Sequence, residues 1–441
     1  MNDIYQTIPI GKVEIGMYIK LDLSWFSHSF PTSSFKITNQ KELNQLLGMN
    51  LEAVRYCPSK SDISPDQESV EASEVSETSS EPDSSSAPEE VSEVHDSIAD
   101  AKRARLEKLK QQRDEIARCR EKFINATNVV KGIDKNIRRS PAETMKEADK
   151  LVASVAETLL SENDTIMHLM QPSPGSEDVY YHTLNVSVLS MMIATNLDLS
   201  DELVMQCGVA GLFHDLGKLD IPPAILRKAG QLSKAEQSYL DLHPEYGRKI
   251  ADKIGMPAHV IEVIANHHEY LDGSGYPNKL KGDAITLLTR IVSIANTYDN
   301  YCNHIDPGQS MTPHEALSLM YTRYREKLDA NILAILIKNL GVYPPGTLVR
   351  LSSEPIGLVI NVNIGQPLRP CVLIYDEEIP KEDAIIIDLA KEGSNLSISA
   401  SIRPGQLSRE ITDYLNPRSR INYYFDNRAK GKNDPQANAT N

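Results

Sequence analysis

Five histidines and one aspartate in the middle of the chain fall at predicted helix ends or beside helix-breaking residues. They are His182, His214, Asp215, His243, His267 and His268. Consecutive histidines are 32, 29, 24 and 1 residues apart, so separate helices must supply them. One histidine on an apolar helix is as often a packed core residue as a ligand. Five of them with a carboxylate favour a metal centre held between the helices of a bundle.

The types of donor indicate which metal this centre would take. Imidazole nitrogens and a carboxylate oxygen suit divalent iron, manganese or zinc. The five cysteines are far apart and include no Cys-x-x-Cys pair, which argues against a disulfide framework and against a zinc–thiolate site. Iron or manganese is therefore favoured over structural zinc. The two oxygens of Asp215 could bridge two cations while His214 binds one of them.

A tight turn follows the last two histidines directly, in the stretch HHEYLDGSGYP at residues 267–277. Its glycines permit backbone conformations that other residues rarely adopt. The backbone of this turn can therefore pass close beside a metal site that larger side chains would block.

Three kinds of sequence pattern surround these residues. Residues 140–343 show helical spacing broken by Gly and Pro. Residues 1–60 contain two short strands around a helix. Asn39 is expected to be the N-cap of this helix, and the Glu42 side chain to form the return hydrogen bond of a capping box. Residues 344–426 contain short β-rich runs, typical of a small barrel or sandwich. The predicted fold class is mainly α, with a helical bundle core flanked by a small amino-terminal α+β domain and a small carboxy-terminal β-rich domain.

The segments between and beyond these domains differ in charge. Residues 61–100 hold thirteen Asp and Glu, three Pro and no Lys or Arg, which predicts a disordered linker. Residues 101–139 form a basic connecting helix, and residues 427–441 a disordered tail. Two alternatives remain open for the helix: packing on a neighbouring domain, or dimerisation and signal relay. Its apolar residues spaced by seven are Leu109, Ile116, Phe123 and Val130.

Charge and hydropathy exclude several classes of partner. The net charge is −15, of which −13 lies in the linker, leaving −2 for the rest. This balance disfavours DNA or RNA backbone as a partner, while a small anionic nucleotide held by metal remains compatible. No apolar run is long enough to span a bilayer, and the first residues do not resemble a signal peptide. We therefore expect a cytoplasmic protein without a membrane partner.

Three motifs resemble those of the HD-GYP domain, a bacterial branch of the HD metal-dependent phosphohydrolases. They are HD-x-G-K at 214–218, H-P-x-x-G at 243–247 and H-H-E-x-x-D-G-x-G-Y-P at 267–277. The small amino-terminal domain resembles one of unknown function that accompanies this domain. The resemblance implies an HD-type helical bundle that hydrolyses a cyclic dinucleotide, most often cyclic di-GMP, to pGpG and in some members to GMP. It also implies diguanylate cyclase domains as candidate partners, and a homodimer is compatible with it.

The resemblance further implies roles for individual residues. The five histidines and Asp215 match the ligands of two divalent metals, and Asp215 also acts in catalysis. Lys218 matches a lysine that contacts the scissile phosphate. The turn residues Gly275, Tyr276 and Pro277 are expected to border the substrate cleft.

The sequence departs from the family at two positions near the metals. Asn296 stands where the family has a last aspartate ligand, so the amide oxygen of Asn296 or the carboxylate of Asp299, one helical turn later, is expected to take this place. Asp178 stands four residues before His182, where members with three metals have Glu. A third metal at Asp178 remains an alternative to the two-metal site that we favour.

Two other functions stay open. A catalytically weak domain could bind a cyclic dinucleotide as a sensor and signal through the flanking domains. Alternatively, the enzyme could hydrolyse another cyclic dinucleotide such as cyclic GMP-AMP, because no motif marks the residues that read the bases.

Overall fold

The computed structural model describes most of the chain. The described residues are 5–22, 30, 33–49, 51–63, 89–160, 165–170, 178–228, 230–304, 309–363, 366–377, 379–381, 384–390, 396–415 and 422–427. They form a large helical body with a small antiparallel sheet at each end of the sequence. The predicted fold class, mainly α with a small α+β domain before the bundle and a β-rich domain after it, is confirmed.

The amino-terminal sheet has the strand order β1-β4-β2-β3 and is antiparallel throughout. As expected, Asn39 caps the helix, because its side chain accepts from the Glu42 N–H. The carboxylate of Glu42 reaches one residue further back than expected and accepts from the Thr38 N–H at 2.8 Å. The elements are β1 (Gln6–Pro9), β2 (Tyr18–Lys20), β3 (Ser34–Lys36), α1 (Gln40–Leu47) and β4 (Ala53–Tyr56).

The helical body shares one hydrophobic core, to which α2, α3, α4, α5, α9, α10, α11 and α12 all contribute buried side chains. Three helices, α6, α7 and α8, lie between α5 and α9 in the chain. None of the helices that the structure describes has the length and apolarity needed to cross a membrane. The helices are α2 (Glu89–Asn136), α3 (Pro141–Leu160), α4 (Asp178–Asn196), α5 (Asp201–Phe213), α6 (Pro223–Leu226), α7 (Lys234–Leu240), α8 (His243–Ile254), α9 (Ala258–Asn266), α10 (Leu287–Cys302), α11 (Pro313–Arg323) and α12 (Ala330–Leu340).

Helix α2 differs from the prediction at its start. It begins at Glu89 rather than at residue 101, so the last part of the predicted disordered linker is helical. The residues after Pro88 include no further proline or glycine before Gly132, so nothing in the sequence interrupts a helix there. Phe123 and Val130 are buried in the bundle core, as the packing alternative expects. The side chains of Leu109 and Ile116, and residues 64–88 of the linker, lie outside the described residues.

The carboxy-terminal β-rich region differs from the predicted barrel or sandwich: its described strands form one five-stranded antiparallel sheet with the order β10-β6-β7-β8-β9, whose edge strands β10 and β9 do not pair. It contacts the amino-terminal sheet, where Lys20 pairs with Glu377 and the Lys36 N–H donates to the Ser353 carbonyl at 3.2 Å. The elements are β6 (Leu348–Leu351), β7 (Ile356–Asn361), β8 (Cys371–Ile374), β9 (Ile386–Asp388), β10 (Ile398–Ile402) and α13 (Arg409–Leu415).

The last described strand, β11 (Asn422–Asn427), does not join that sheet. It pairs antiparallel with β5 (Thr165–Met170), a strand inserted in the helical body between α3 and α4. The chain therefore returns from the β-rich region to the bundle. Asn427, predicted to begin the disordered tail, ends this strand, and residues 428–441 lie outside the described residues.

Candidate metal centre

The six predicted ligands come from four segments of the bundle and lie close together. Helix α4 carries His182 on its first turns, and α5 ends at His214, with Asp215 directly after it. Helix α8 begins at His243, and the two remaining histidines follow the end of α9.

The ligand atoms fall into two groups that share Asp215. One group consists of Asp215, His243, His267 and His268; the other of His182, His214 and Asp215. Within each group the nitrogen and oxygen atoms lie within 4.8 Å of one another. A carboxylate with two oxygens can serve both groups, which is the arrangement expected of two neighbouring cations.

Backbone carbonyls fix the orientation of three of these imidazoles. The Nδ1 atoms of His214, His243 and His267 lie 2.7, 2.8 and 3.0 Å from the carbonyl oxygens three residues earlier. A carbonyl can only accept, so each Nδ1 carries a proton and each neutral ring keeps its lone pair on Nε2. Metal-bound histidines are held in this way in proteins.

The Nε2 lone pairs of these histidines face other acceptor atoms, with no hydrogen-bond donor between them. The Nε2 atoms of His243 and His267 are 3.2 Å apart, and both lie within 3.7 Å of Asp215 Oδ1. That oxygen is buried and has no hydrogen-bond partner among the described residues. Buried acceptors that face one another are costly unless a cation lies between them. The residues therefore fit a divalent metal ion at this position.

The protonation states also suit metal binding. Burial and the neighbouring imidazoles lower the pKa values of His267 and His268 well below the ordinary range, so both rings are neutral ligands. Burial opposes ionisation of Asp215, but Lys218 and His214 outweigh it and hold its pKa well below the ordinary value. Burial likewise disfavours the charged form of His182, yet hydrogen bonds to Asp215 and Asp299 raise its pKa to about 9. A cation that binds at His182 Nε2 must displace that proton.

Two family models match consecutive parts of the chain. Residues 149–332 match the HD domain family. These residues therefore form an HD domain, which is less than half of the chain. The match lies inside the predicted domain at 140–343, and the relationship expected from the three motifs is confirmed. Residues 5–148, which include the amino-terminal sheet and all of α2, match a second family, described as Domain of unknown function (DUF3391).

Curated relatives of this chain are phosphodiesterases by name. A cyclic di-GMP phosphodiesterase of Pseudomonas aeruginosa is 28% identical over 88% of this chain and 89% of its own length. The 3'3'-cGAMP-specific phosphodiesterase 3 of Vibrio cholerae is 34% identical over 37% of this chain and 35% of its own. The cyclic di-GMP phosphodiesterase response regulator RpfG of Xanthomonas campestris is 29% identical over 45% and 55%. The first similarity includes both flanking regions, and the other two cover less than half of this chain.

Lys218 lies at the rim of the HD-domain centre. It follows Asp215 by three residues in a short 3-10 helix, Leu216–Asp220, and its Nζ lies 2.5 Å from Asp215 Oδ2. About 30% of its side chain is exposed, so its ammonium can contact both the buried carboxylate and a ligand that arrives from solvent.

The turn after the paired histidines is fixed against the centre. The ring of Tyr276 stacks on His268, with centroids 4.7 Å apart and planes 16° apart. Gly275 passes so close to the backbone of residues 268–270 that a Cβ there would lie 2.5 Å from three of their backbone atoms. Buried Glu269 accepts from the N–H groups of Asn278 and Leu280 at 2.6 and 3.1 Å. These contacts place the predicted cleft residues Gly275 and Tyr276 beside His268, and Pro277 follows them directly in sequence.

The candidates for the last ligand occupy different positions. Asp299 Oδ2 lies 2.7 Å from His182 Nδ1, the nitrogen that faces away from the other ligands. It therefore contacts the outer side of His182 and belongs to neither ligand group. Asn296 is buried, and its amide oxygen accepts from Asn300 at 2.6 Å. Helix α4 begins at Asp178, whose side chain lies outside the described residues, so the third metal stays a prediction.

Sequence reasoning missed Asn185 and Glu269, which hold parts of the centre in place. Asn185 is completely buried and donates to Asp299 Oδ1 at 2.7 Å. It stands three residues after His182, on the same face of α4, and that spacing is the signal that could have identified it. Glu269 belongs to the H-H-E motif, but its partners lie in a later part of the turn, which the motif alone does not indicate.

Proposed function

We propose that the protein is a metal-dependent phosphodiesterase that hydrolyses cyclic di-GMP to pGpG, and that GMP is a further product. The observation that carries this proposal is the convergence of five imidazoles on the two oxygens of Asp215, with Lys218 at the solvent side. The Pseudomonas relative, which matches over nearly the whole chain, carries the name of this activity.

The proposed metal ligands are His182, His214, Asp215, His243, His267 and His268. Two divalent cations held there would supply a Lewis acid and an activated water at neutral pH. Both ligand groups lack thiolates, which favours iron or manganese.

The protein's own residues have separate tasks in this proposal. The backbone carbonyls keep the Nε2 atoms of the histidines free to bind. Lys218 stabilises the negative charge that develops on the phosphoryl oxygens, because its ammonium already lies at the edge of the centre. Tyr276, stacked on His268, provides one wall of the cleft in which the dinucleotide lies.

A second substrate is supported by a specific similarity. The 3'3'-cGAMP-specific relative of Vibrio cholerae has a higher sequence identity to this chain than the Pseudomonas relative has, but over a shorter segment. Cyclic di-GMP remains our first candidate because the longer match includes the flanking regions. A sensor that binds a cyclic dinucleotide without hydrolysis is the third candidate, and the five histidines and Asp215 that are retained argue against it.

We further propose that this reaction takes place in the cytoplasm, as part of cyclic-dinucleotide signalling. The five cysteines are all buried and none is in a disulfide bond, which is typical of proteins from a reducing compartment. Diguanylate cyclase domains as partners and a homodimer stay proposals that follow from the family resemblance.

The test is hydrolysis by the full chain, purified anaerobically with its metals. Cyclic di-GMP and 3'3'-cGAMP are supplied at equal concentrations, and the linear products are separated by chromatography. We expect pGpG from the first substrate at a higher kcat/KM than linear product from the second. Faster turnover of 3'3'-cGAMP would assign the second substrate, and binding without turnover of either would assign the sensor.

A further inference from the structure

Strand β11 inserts a tyrosine into the core of the HD domain. Tyr423 is 1% exposed. Its ring stacks on Tyr298 of α10, with the planes 15° apart, and the two hydroxyl groups are 2.8 Å apart. The Tyr423 hydroxyl also donates to the Pro345 carbonyl at 3.2 Å. The strand is therefore fixed to α10 and to the start of the β-rich region at once.

The backbone of this strand begins a series of hydrogen bonds that ends at the metal centre. The N–H of Tyr423 donates to Asn185 Oδ1 at 3.1 Å. The Asn185 Nδ2 donates to Asp299 Oδ1 at 2.7 Å. Asp299 Oδ2 in turn accepts from His182 Nδ1 at 2.7 Å. Three hydrogen bonds thus connect β11 to a proposed metal ligand.

The first bond of this series determines the direction of the others. A backbone N–H can only donate, so the oxygen of the Asn185 amide must face Tyr423 and its NH₂ must face Asp299. Asp299 then receives the Asn185 donor on one oxygen and can accept the Nδ1 proton of His182 on the other. With one proton held on Nδ1, Nε2 is the ring nitrogen left for a cation, which displaces the second proton there; Nε2 lies 3.2 Å from His214 Nε2. Asp299 Oδ1 also accepts from Asn303, at the carboxy-terminal end of its own helix, at 2.9 Å, so Asn185, held by β11, supplies the donor that reaches this oxygen from outside α10.

We infer that β11 is a positioning element of the metal centre, in which Tyr423 and Asn185 hold Asp299 so that it orients His182. This inference rests on the proposed metal ligands. The series reaches only the group formed by His182, His214 and Asp215, and it does not touch His243, His267 or His268. Loss of the series should therefore weaken one metal position and leave the other intact. The carboxy-terminal segment would then be required for a complete active centre.

The test counts metal ions, so it does not depend on turnover. Full-length protein is reconstituted anaerobically with Mn²⁺, the folded fraction is collected by gel filtration, and bound Mn²⁺ per chain is measured. Asn185→Leu removes the amide and with it its bonds to Tyr423 and Asp299, and a chain that ends at residue 421 removes β11. The matched control is Asn339→Leu, because Asn339 is a buried asparagine of the same core that donates to the Ile335 carbonyl on its own helix.

We expect about two Mn²⁺ per chain in the wild type and in the control, and about one in Asn185→Leu and in the shortened chain. The ion at the weakened position should leave about 10 to 100 times faster on addition of EDTA, the range found when a residue that supports a metal ligand is replaced. If the shortened chain does not fold, Asn185→Leu decides the question. The inference would be overturned if Asn185→Leu binds two Mn²⁺ per chain and releases them to EDTA at the wild-type rate. It would also be overturned if the wild type binds fewer than two Mn²⁺ per chain. A wild type with two Mn²⁺ that hydrolyses no cyclic dinucleotide would instead overturn the proposed function alone.

Discussion

Replacement of Gly217 by alanine should displace one ligand of the metal centre without removing any ligand. Gly217 lies in the short 3-10 helix after Asp215 and is pressed against the first turn of α8. A Cβ at this position would lie 1.8 Å from the His243 carbonyl oxygen and 2.4 Å from the Gly247 nitrogen. Both neighbours are backbone atoms, so no side-chain rotation can relieve the contact.

The size of the displacement follows from these distances. The start of α8 must retreat by about 1.2 Å or more before the closest contact reaches 3.0 Å, and overpacking of this kind typically costs about 1–3 kcal/mol of stability. His243 Nε2, now 3.3 Å from Asp215 Oδ1, moves with the helix. Metal–ligand distances tolerate only about 0.2 Å, and misplacement by about 1 Å can reduce turnover about 100-fold. We therefore expect a loss of kcat/KM of at least about 100-fold, equivalent to about 2.7 kcal/mol of barrier.

The assay compares Gly217→Ala with Gly208→Ala, at equal metal supply and well below the unfolding temperature of both. A Cβ at Gly208 would meet Met191 Sδ at 2.6 Å and a Val152 methyl at 2.7 Å, which are side-chain atoms that can move. The control should therefore lose stability but keep its metals and most of its turnover. If Gly217→Ala binds two metals and turns over within about threefold of the wild type (about 0.65 kcal/mol), the reasoning is refuted.

Three further changes test other parts of the structure. Lys218→Gln should lower kcat by about 100- to 1,000-fold, as loss of a transition-state donor does, without loss of metal; an effect confined to KM would contradict the proposed role. Asn296→Asp adds a charged oxygen at constant volume, so we expect the variant to retain more metal under mild chelation. Its turnover should change by no more than about tenfold, equivalent to about 1.4 kcal/mol of barrier. Unchanged metal retention would show that this side chain does not reach the metal. Glu315→Gln concerns stability: burial disfavours the ionised carboxylate, but the hydrogen bonds from Arg403 and Thr312 outweigh it and lower the pKa of Glu315. The stabilisation is therefore present at neutral pH and is lost as pH falls below 4.5, the ordinary value. The variant should lose about 0.5–1 kcal/mol at pH 7 by urea unfolding, since the pair is partly exposed. This loss should shrink as pH falls below 4.5, and a loss that does not change with pH would contradict the assignment.

The local parts of the fold and of the centre could be predicted from the sequence. Helical spacing with Gly and Pro breaks located the bundle, because each amphipathic helix shows its period within a few turns. Asn39 was recognised as a cap for the same reason, since its partner is three residues away. The histidines could be found because motif residues lie next to one another in sequence, as in the pair His214 and Asp215.

The parts that could not be predicted depend on contacts between distant segments. The hydrogen bond between Tyr423 and Asn185 joins residues 238 positions apart, and no local pattern around Tyr423 distinguishes a strand of the bundle from one of the β-rich region. Asp299 could not be separated from Asn296 as a ligand, because the rotation of α10 in the bundle decides which side chain faces His182. The role of Gly217 likewise depends on how closely α8 approaches it.

The central claim is that His214 and Asp215 bind the catalytic metals, and one measurement tests it most directly. Metal content and hydrolysis of cyclic di-GMP are determined together for the wild type, for the double variant His214→Ala and Asp215→Ala, and for the control His259→Ala. The control histidine is half-buried on α9, which leads to His267, and lies outside both ligand groups. We predict that the double variant keeps its helical circular dichroism, binds fewer metal ions and has no measurable turnover, while the control matches the wild type. Wild-type turnover by the double variant after complete removal of metal would contradict the account.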